Sequence, residues 1–280
     1  MTTTTAPPTR FLDRDGGRIA YDDTGDGADA RAGAPTLVAI PGIGDRRQSY
    51  RHLVPALVAA GFRVVTVDLR GMGESSTGWR DYSDPAVASD VVALVEALDL
   101  DDVVLLGNSL GAAAAVLATT DCPKVRGLVL IGPFARAVPI AWWQKAAFKA
   151  LLAPPWGRRA WVSYYRSKLF PGAKPADLDA YADELGRVMA EPGRMTALRA
   201  LADNTHAESG ERLDAVRVPT LVVMGSADPD FPDPAAEAEA VAAATGGEIL
   251  MVDGSGHYPH ADHPGLVAEA VVALARRTQG

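Results

Sequence analysis

An α/β architecture is predicted for this chain, a mostly parallel sheet flanked by helices and interrupted by a helical insertion. Short β-branched runs alternate with longer Ala- and Leu-rich segments along most of the sequence, the pattern of a sheet covered by helices on both faces. Several of these runs are continuously apolar, as strands buried on both faces should be. The alternation stops after Ile131, and from about Phe134 to Leu213 helix-like pieces follow one another with no buried strand between them.

Taken in order, Arg18–Asp23 reads as an early antiparallel strand. It is followed by strands at Thr36–Ile40, Phe62–Val67, Val103–Leu106, Gly127–Ile131, Pro219–Met224 and Glu248–Val252. Helices fit between them at Gln48–Ala60, Asp84–Leu98, Leu110–Thr120, Pro234–Ala244 and Ala261–Arg277. Asp84 followed by Pro85 reads as a cap with a first-turn proline. Inside the insertion, Pro154-Pro155, Pro171-Gly172 and Pro192-Gly193 punctuate the helical pieces. The expected division is therefore residues 1–133 and 214–280 as the two parts of one core, with residues 134–213 as a helical cap.

With 48% hydrophobic and 22% charged residues, the 280-residue chain is that of an ordinary globular protein able to bury a sizeable core. A single cysteine, Cys122, excludes an intrachain disulfide and is expected to be a small buried hydrophobe. A formal charge of −8 disfavours nucleic acid and anionic membranes as partners. The pairs Arg46-Arg47 and Arg158-Arg159 read as solvated helix faces. Met1–Thr9 is rich in Thr and Pro and reads as a frayed tail without the charged start or apolar run of a leader. With no run of about 18 apolar residues, the cytoplasm is the expected location.

The strongest chemical signal is Val103-Val104-Leu105-Leu106-Gly107-Asn108-Ser109-Leu110-Gly111-Ala112, a buried strand running through G-x-S-x-G into an Ala-rich helix. A serine on such a turn is held in a strained backbone and presented above the sheet, and small residues at 107 and 111 leave room for the turn to pack. The helix that starts at Leu110 places the positive end of its dipole where an oxyanion would develop.

Further motifs extend this picture. Ile40-Pro41-Gly42-Ile43-Gly44-Asp45 follows a strand, Asp68-Leu69-Arg70-Gly71-Met72-Gly73-Glu74-Ser75 forms a D-x-R-G-x-G-x-S turn, and Gly225-Ser226-Ala227-Asp228 closes another strand. Gly254-Ser255-Gly256-His257 lies near the C-terminus. Together these segments resemble the α/β-hydrolases over nearly the whole chain outside the insertion, and the resemblance implies an eight-stranded, mostly parallel sheet with a helical cap. The resemblance implies that family's order of nucleophile, acid and histidine: Ser109, Asp228 and His257. Asp230 and Asp233 stand close behind as rival acids. Ser109 would attack as His257 takes its proton, while Asp228 holds the imidazole tautomer and stabilises the imidazolium.

The resemblance assigns the oxyanion hole to the backbone amides of Ile43 and Leu110. Where the family often has a histidine this chain has Pro41, so any support that residue gives the loop must come from elsewhere. His260 and His263 are expected on the surface of the following turn, and His52 and His206 in core or surface roles. The insertion holds Trp142, Trp143, Trp156 and Trp161, near Tyr164, Tyr165 and Tyr181. Some of these rings are expected to form the insertion's own core and others an apolar pocket wall, with Trp142, Trp143 and Tyr258 as the pocket candidates.

No His/Cys/Asp/Glu cluster has metal-ligand spacing and no G-x-G-x-x-G is present, so neither a metal nor a nucleotide cofactor is expected. Ser109 at the elbow, where relatives that open epoxides or displace halide carry aspartate, points to acyl transfer. An ester of a bulky apolar molecule is the expected substrate. Gly107-Asn108-Ser109 is also similar to the elbow of hydrolases that cleave a carbon–carbon bond in a vinylogous diketone, but those usually have a tryptophan where Tyr258 stands. A small-ligand receptor on the same fold is a further alternative.

Overall fold

A computed structural model of the chain describes residues 8–25, 33–137 and 142–278. Of the expected tail, residues 1–7 lie outside the described residues, whereas Thr9 accepts a hydrogen bond from Arg47 at 2.6 Å. The sheet has eight strands: β1 (Arg10–Arg14), β2 (Gly17–Asp23), β3 (Thr36–Ile40), β4 (Val64–Val67), β5 (Val103–Asn108), β6 (Val125–Ile131), β7 (Thr220–Gly225) and β8 (Glu248–Val252). Their spatial order is β1-β2-β4-β3-β5-β6-β7-β8. β2 runs antiparallel to both β1 and β4, and the strands from β4 across to β8 are parallel.

The strand that no apolar run announces is β1. It is an edge strand with the sequence RFLDR, mostly exposed, and charged edges of this kind block pairing with other chains. In the middle of the sheet every residue of β3, β4, β5 and β7 is buried. Alternate side chains feed two layers: Val38, Ile40, Val103 and Leu105 face one core, and Leu37, Ala39, Val104 and Leu106 the other.

The first layer is closed by α2 (Asp84–Ala97), α3 (Leu110–Asp121) and α9 (Pro234–Thr245), the second by α1 (Val54–Ala59) and α11 (Pro264–Arg277). Pro55 splits the helix expected at Gln48–Ala60 into a 3-10 turn, Arg47–Tyr50, and a short α1, because proline supplies no N–H and constrains the residue before it. Pro259 and Pro264 likewise divide the last helix into α10 (Pro259–Asp262) and α11. The cap of α2 is Ser83, whose hydroxyl accepts from the Ala86 amide. Asp84 lies one position inside and bonds His206 instead.

Between β6 and β7 the chain forms α4 (Trp142–Leu151), α5 (Gly157–Lys168), α6 (Leu178–Val188), α7 (Arg194–Leu201) and α8 (Ala207–Arg212). Arg47 is not on a solvated face. It is buried in a charge network with Asp22, Asp68 and Glu74, and Arg46 pairs with Glu184 of α6 at 3.0 Å. Much of the D-x-R-G-x-G-x-S turn serves structure: Asp68 receives Arg47, Arg70 binds Asp90, and the Ser75 hydroxyl accepts from the Ala20 amide. Cys122 is buried. Among the described residues no helix is long and apolar enough to cross a membrane.

Candidate active site

Ser109 sits between the last residue of β5 and the first of α3 with φ 57° and ψ −125°, a conformation costly for any side chain larger than hydrogen. The surroundings over-determine it. The Ser109 amide donates to the Ile131 carbonyl of β6 at 3.0 Å, and α3 begins immediately, making the Leu110 amide one of its first-turn donors. A Cβ on Gly107 would lie 2.3 Å from the Gly111 carbonyl oxygen, and one on Gly111 would lie 2.4 Å from that of Ile40. Only glycine lets strand, turn and helix approach this closely. Across the site, a Cβ on Gly42 would come within 2.8 Å of the Ser109 Cβ, so the loop carrying Ile43 passes directly against the serine.

Asp228 and His257 follow the C-terminal ends of β7 and β8, on the side of the sheet where Ser109 leaves β5. The Nδ1 atom of His257 lies 2.8 Å from Oδ2 of Asp228 and 3.6 Å from Oδ2 of Asp230. Burial alone pulls the imidazole down, but the Asp228 and Asp230 carboxylates outweigh it and push His257 up to about 9. Burial, with Asp228 close by, raises the Asp230 carboxyl above the ordinary range. Asp228 is thus the nearer acid and Asp230 a second one, the latter bonded by the Tyr164 hydroxyl of α5. Asp233 is a helix cap, accepting from the Ala236 amide of α9.

The backbone of His257 is fixed from two sides. Its amide donates to the Leu169 carbonyl at the end of α5, and its carbonyl accepts from Nδ2 of Asn108 at 3.2 Å. Asn108 also donates to Ile131, so one buried amide ties the serine turn to the histidine segment. No hydrogen bond joins the Ser109 hydroxyl to the imidazole among the described residues; catalytic contacts of this kind often tighten only once substrate is bound. Phe134 links the two: its amide donates to the Ser109 carbonyl, and its ring lies 6.0 Å from that of His257. Phe231 stacks on Phe134 at 4.7 Å.

Asn108, Phe134 and Phe231 were not singled out for these roles from sequence. Asn108 is visible inside the G-x-S-x-G motif, but its role requires knowing that residue 257 returns beside it. The two phenylalanines carry no motif at all. Conversely, Trp142 and Trp143 are 82% and 58% exposed, and so wall no enclosed space here, because α4 presents them to solvent. Tyr258 is packed away among Tyr165, Phe170 and His260. His260 is a correction to the expected surface position: it is wholly buried, stacks on Tyr50 at 4.5 Å, and burial lowers its ring to about 3. His263 is partly exposed beside Asp262, and His52 bonds Asp177.

Asp228, Asp230 and His257 also bring ligand atoms within 4.8 Å of one another, a set that could hold a cation.

The alpha/beta hydrolase family model matches residues 37–270. An uncharacterized protein of Mycobacterium tuberculosis is 28% identical over 98% of this chain and 83% of its own length. Among solved structures, a bromoperoxidase from Bacillus anthracis superposes with a TM-score of 0.82 at 21% identity, covering 96% of this chain and 100% of that one. An esterase from Exiguobacterium antarcticum gives 0.78 at 22%, covering 97% and 100%. With the sheet order, the strained serine turn and a family match across most of its length, the chain belongs to the alpha/beta hydrolase family.

Proposed function

We propose that this hydrolase cleaves an ester of a bulky apolar small molecule through an acyl-serine intermediate, with Ser109 as nucleophile, His257 as base and Asp228 as its acid. The observation that carries the reading is the strained Ser109 turn, tied through the Asn108 side chain to the segment that bears a buried His257–Asp228 pair. In the first half-reaction the Ser109 oxygen attacks the ester carbonyl while Nε2 of His257 takes its proton, and Asp228 holds Nδ1–H and balances the new imidazolium. The Ile43 and Leu110 amides donate to the tetrahedral oxyanion; losing one such donor costs about 10²–10³ in turnover. The imidazolium then protonates the departing alcohol. Water, deprotonated by the same ring, releases the acid.

Phe134 and Phe231 beside the imidazole support an apolar substrate. Residues 134–213 act in this reading as a cap over the site, which is supported by the bonds from the His257 amide to the Leu169 carbonyl and from the Tyr164 hydroxyl to Asp230. The test is turnover of a panel of p-nitrophenyl esters of increasing chain length. Repeated release of acid, best with the longer chains, is expected. A single slow turnover ending in a stable adduct would instead indicate a receptor, and preference for a dienoate over every ester would indicate carbon–carbon cleavage.

A further inference from the structure

Asp45 lies two residues after Ile43 in the loop that follows β3, and it is 0% exposed. Its oxygens are occupied. Oδ1 accepts from the Arg46 amide at 2.7 Å and from the Tyr181 hydroxyl at 2.5 Å, and Oδ2 accepts from the Tyr165 hydroxyl at 3.0 Å. Tyr165 belongs to α5 and Tyr181 to α6. The Tyr165 ring also packs 5.2 Å from that of Tyr258, the residue after the proposed base. Arg51 lies 3.9 Å over the Tyr181 ring and pairs with Asp177, adding a cation on the far side of the cluster.

The neighbouring residue is held in the same way. Trp161 of α5 donates Nε1–H to the Gly44 carbonyl at 3.0 Å, and a Cβ on Gly44 would lie 2.5 Å from that indole. The loop is therefore fixed at Gly42 by Ser109, and at Gly44 and Asp45 by α5 and α6, with Ile43 between the two anchorages. Pro41 has no N–H of its own to offer. A buried carboxylate left without donors is strongly unfavourable, so the three donors and the carboxylate specify one position for each other.

We infer that Asp45 is a positioning residue for the oxyanion hole: by binding Tyr165 and Tyr181 it fastens the loop that bears Ile43 to the inserted helices, aiming the Ile43 amide before substrate arrives. The inference rests on the acyl-transfer reading above. Preorganised donors stabilise a developing charge only when aimed at where it forms, so a small displacement of this loop weakens the transition state more than it weakens ground-state binding.

The experiment compares full-length wild type with Asp45→Asn, which turns an amide N–H toward the tyrosine donors, and with the double variant Tyr165→Phe/Tyr181→Phe, which keeps the packing and removes two hydroxyls. Three quantities are read: kcat and KM on p-nitrophenyl butyrate, the fraction of serine titrated by a fluorophosphonate, and Ki for phenylboronic acid, which binds serine as a tetrahedral adduct. In Asp45→Asn, kcat is expected to fall about 10–100-fold, part of the full loss of one donor. KM should change little, the titratable fraction should stay whole, and Ki should rise in step with the loss of kcat. The double variant should follow the same trend with a smaller loss, and it decides the matter if Asp45→Asn does not fold. Unchanged kcat and Ki, a rise in KM alone, or a reduced titratable fraction whose remaining sites keep wild-type kcat and Ki would each overturn the inference. A wild-type protein that neither turns over the ester nor reacts with the fluorophosphonate overturns the acyl-transfer reading, and the inference with it.

Discussion

Helix α5 turns Trp161 and Tyr165 into the protein, whereas α4, next to it in the chain, leaves Trp142 and Trp143 largely in solvent. Both helices are rich in aromatic and basic residues, so composition does not separate them. The polar tips do. Trp161 and Tyr165 find acceptors on the loop after β3, at Gly44 and Asp45, and Arg46 and Arg51 of the core reach across to Glu184 and Asp177 around α6. A ring with one polar atom is buried where that atom has a partner. The insertion is thus anchored on the side that touches the loop after β3, and its aromatic content is informative only once those partners are known.

The largest consequence concerns Trp161. Its replacement by alanine should destabilise the protein by about 3–5 kcal/mol, as loss of a buried tryptophan commonly does. Urea unfolding measures this, and a change no larger than that of a surface substitution would break the contrast between the helices. Activity should fall as well, since the Gly44 carbonyl loses its donor.

A second effect follows from α5 touching the acid pair through Tyr164. In the proposed reaction His257 must be neutral, and its neighbours push the ring up to about 9, so kcat/KM should climb with pH and level off above that value. Asp230→Asn removes one of the raising charges, and the midpoint of the climb should move to lower pH. An unmoved midpoint would show that Asp230 has no hold on the base. Stability should run the other way: the raised pKa contributes fully below about 6.5, the unfolded value, and that contribution is lost as pH rises through about 9. Thermal melts across this window would register the decline.

The smallest effect belongs to α4. Trp142→Ser with Trp143→Ser should shift unfolding by no more than about 0.5 kcal/mol, as is usual for surface changes. It should also leave turnover of a short-chain ester unchanged. A marked loss of activity would mean that these rings act on the substrate despite their exposure.

Sequence revealed those parts of the molecule whose physics is local. The doubly buried strands are continuous apolar runs, and the serine turn is written in Gly107, Ser109 and Gly111, because the close approaches at 107 and 111 allow no side chain. Asp228, Asp230 and His257 stand near motif ends in the sequence, but which carboxylate lies nearer the ring is a matter of fractions of an ångström set by the loop after β7. What sequence did not disclose depends on distant segments meeting. His260 is charged or neutral, exposed or buried, according to what packs on it, and here Tyr50 does. Edge strand β1 has no apolar run because most of its side chains are exposed. The sorting of the insertion's aromatic rings required the loop at Gly44 and Asp45, more than a hundred residues away in the chain.

In the proposed reaction the Ser109 hydroxyl is the nucleophile. Treating the protein with a fluorophosphonate and locating the adduct by peptide mass spectrometry tests this. Stoichiometric modification of Ser109, loss of ester turnover in proportion, and neither labelling nor turnover in Ser109→Ala are expected. Label on another residue, or an alanine variant that still hydrolyses the ester at the wild-type rate, would contradict it.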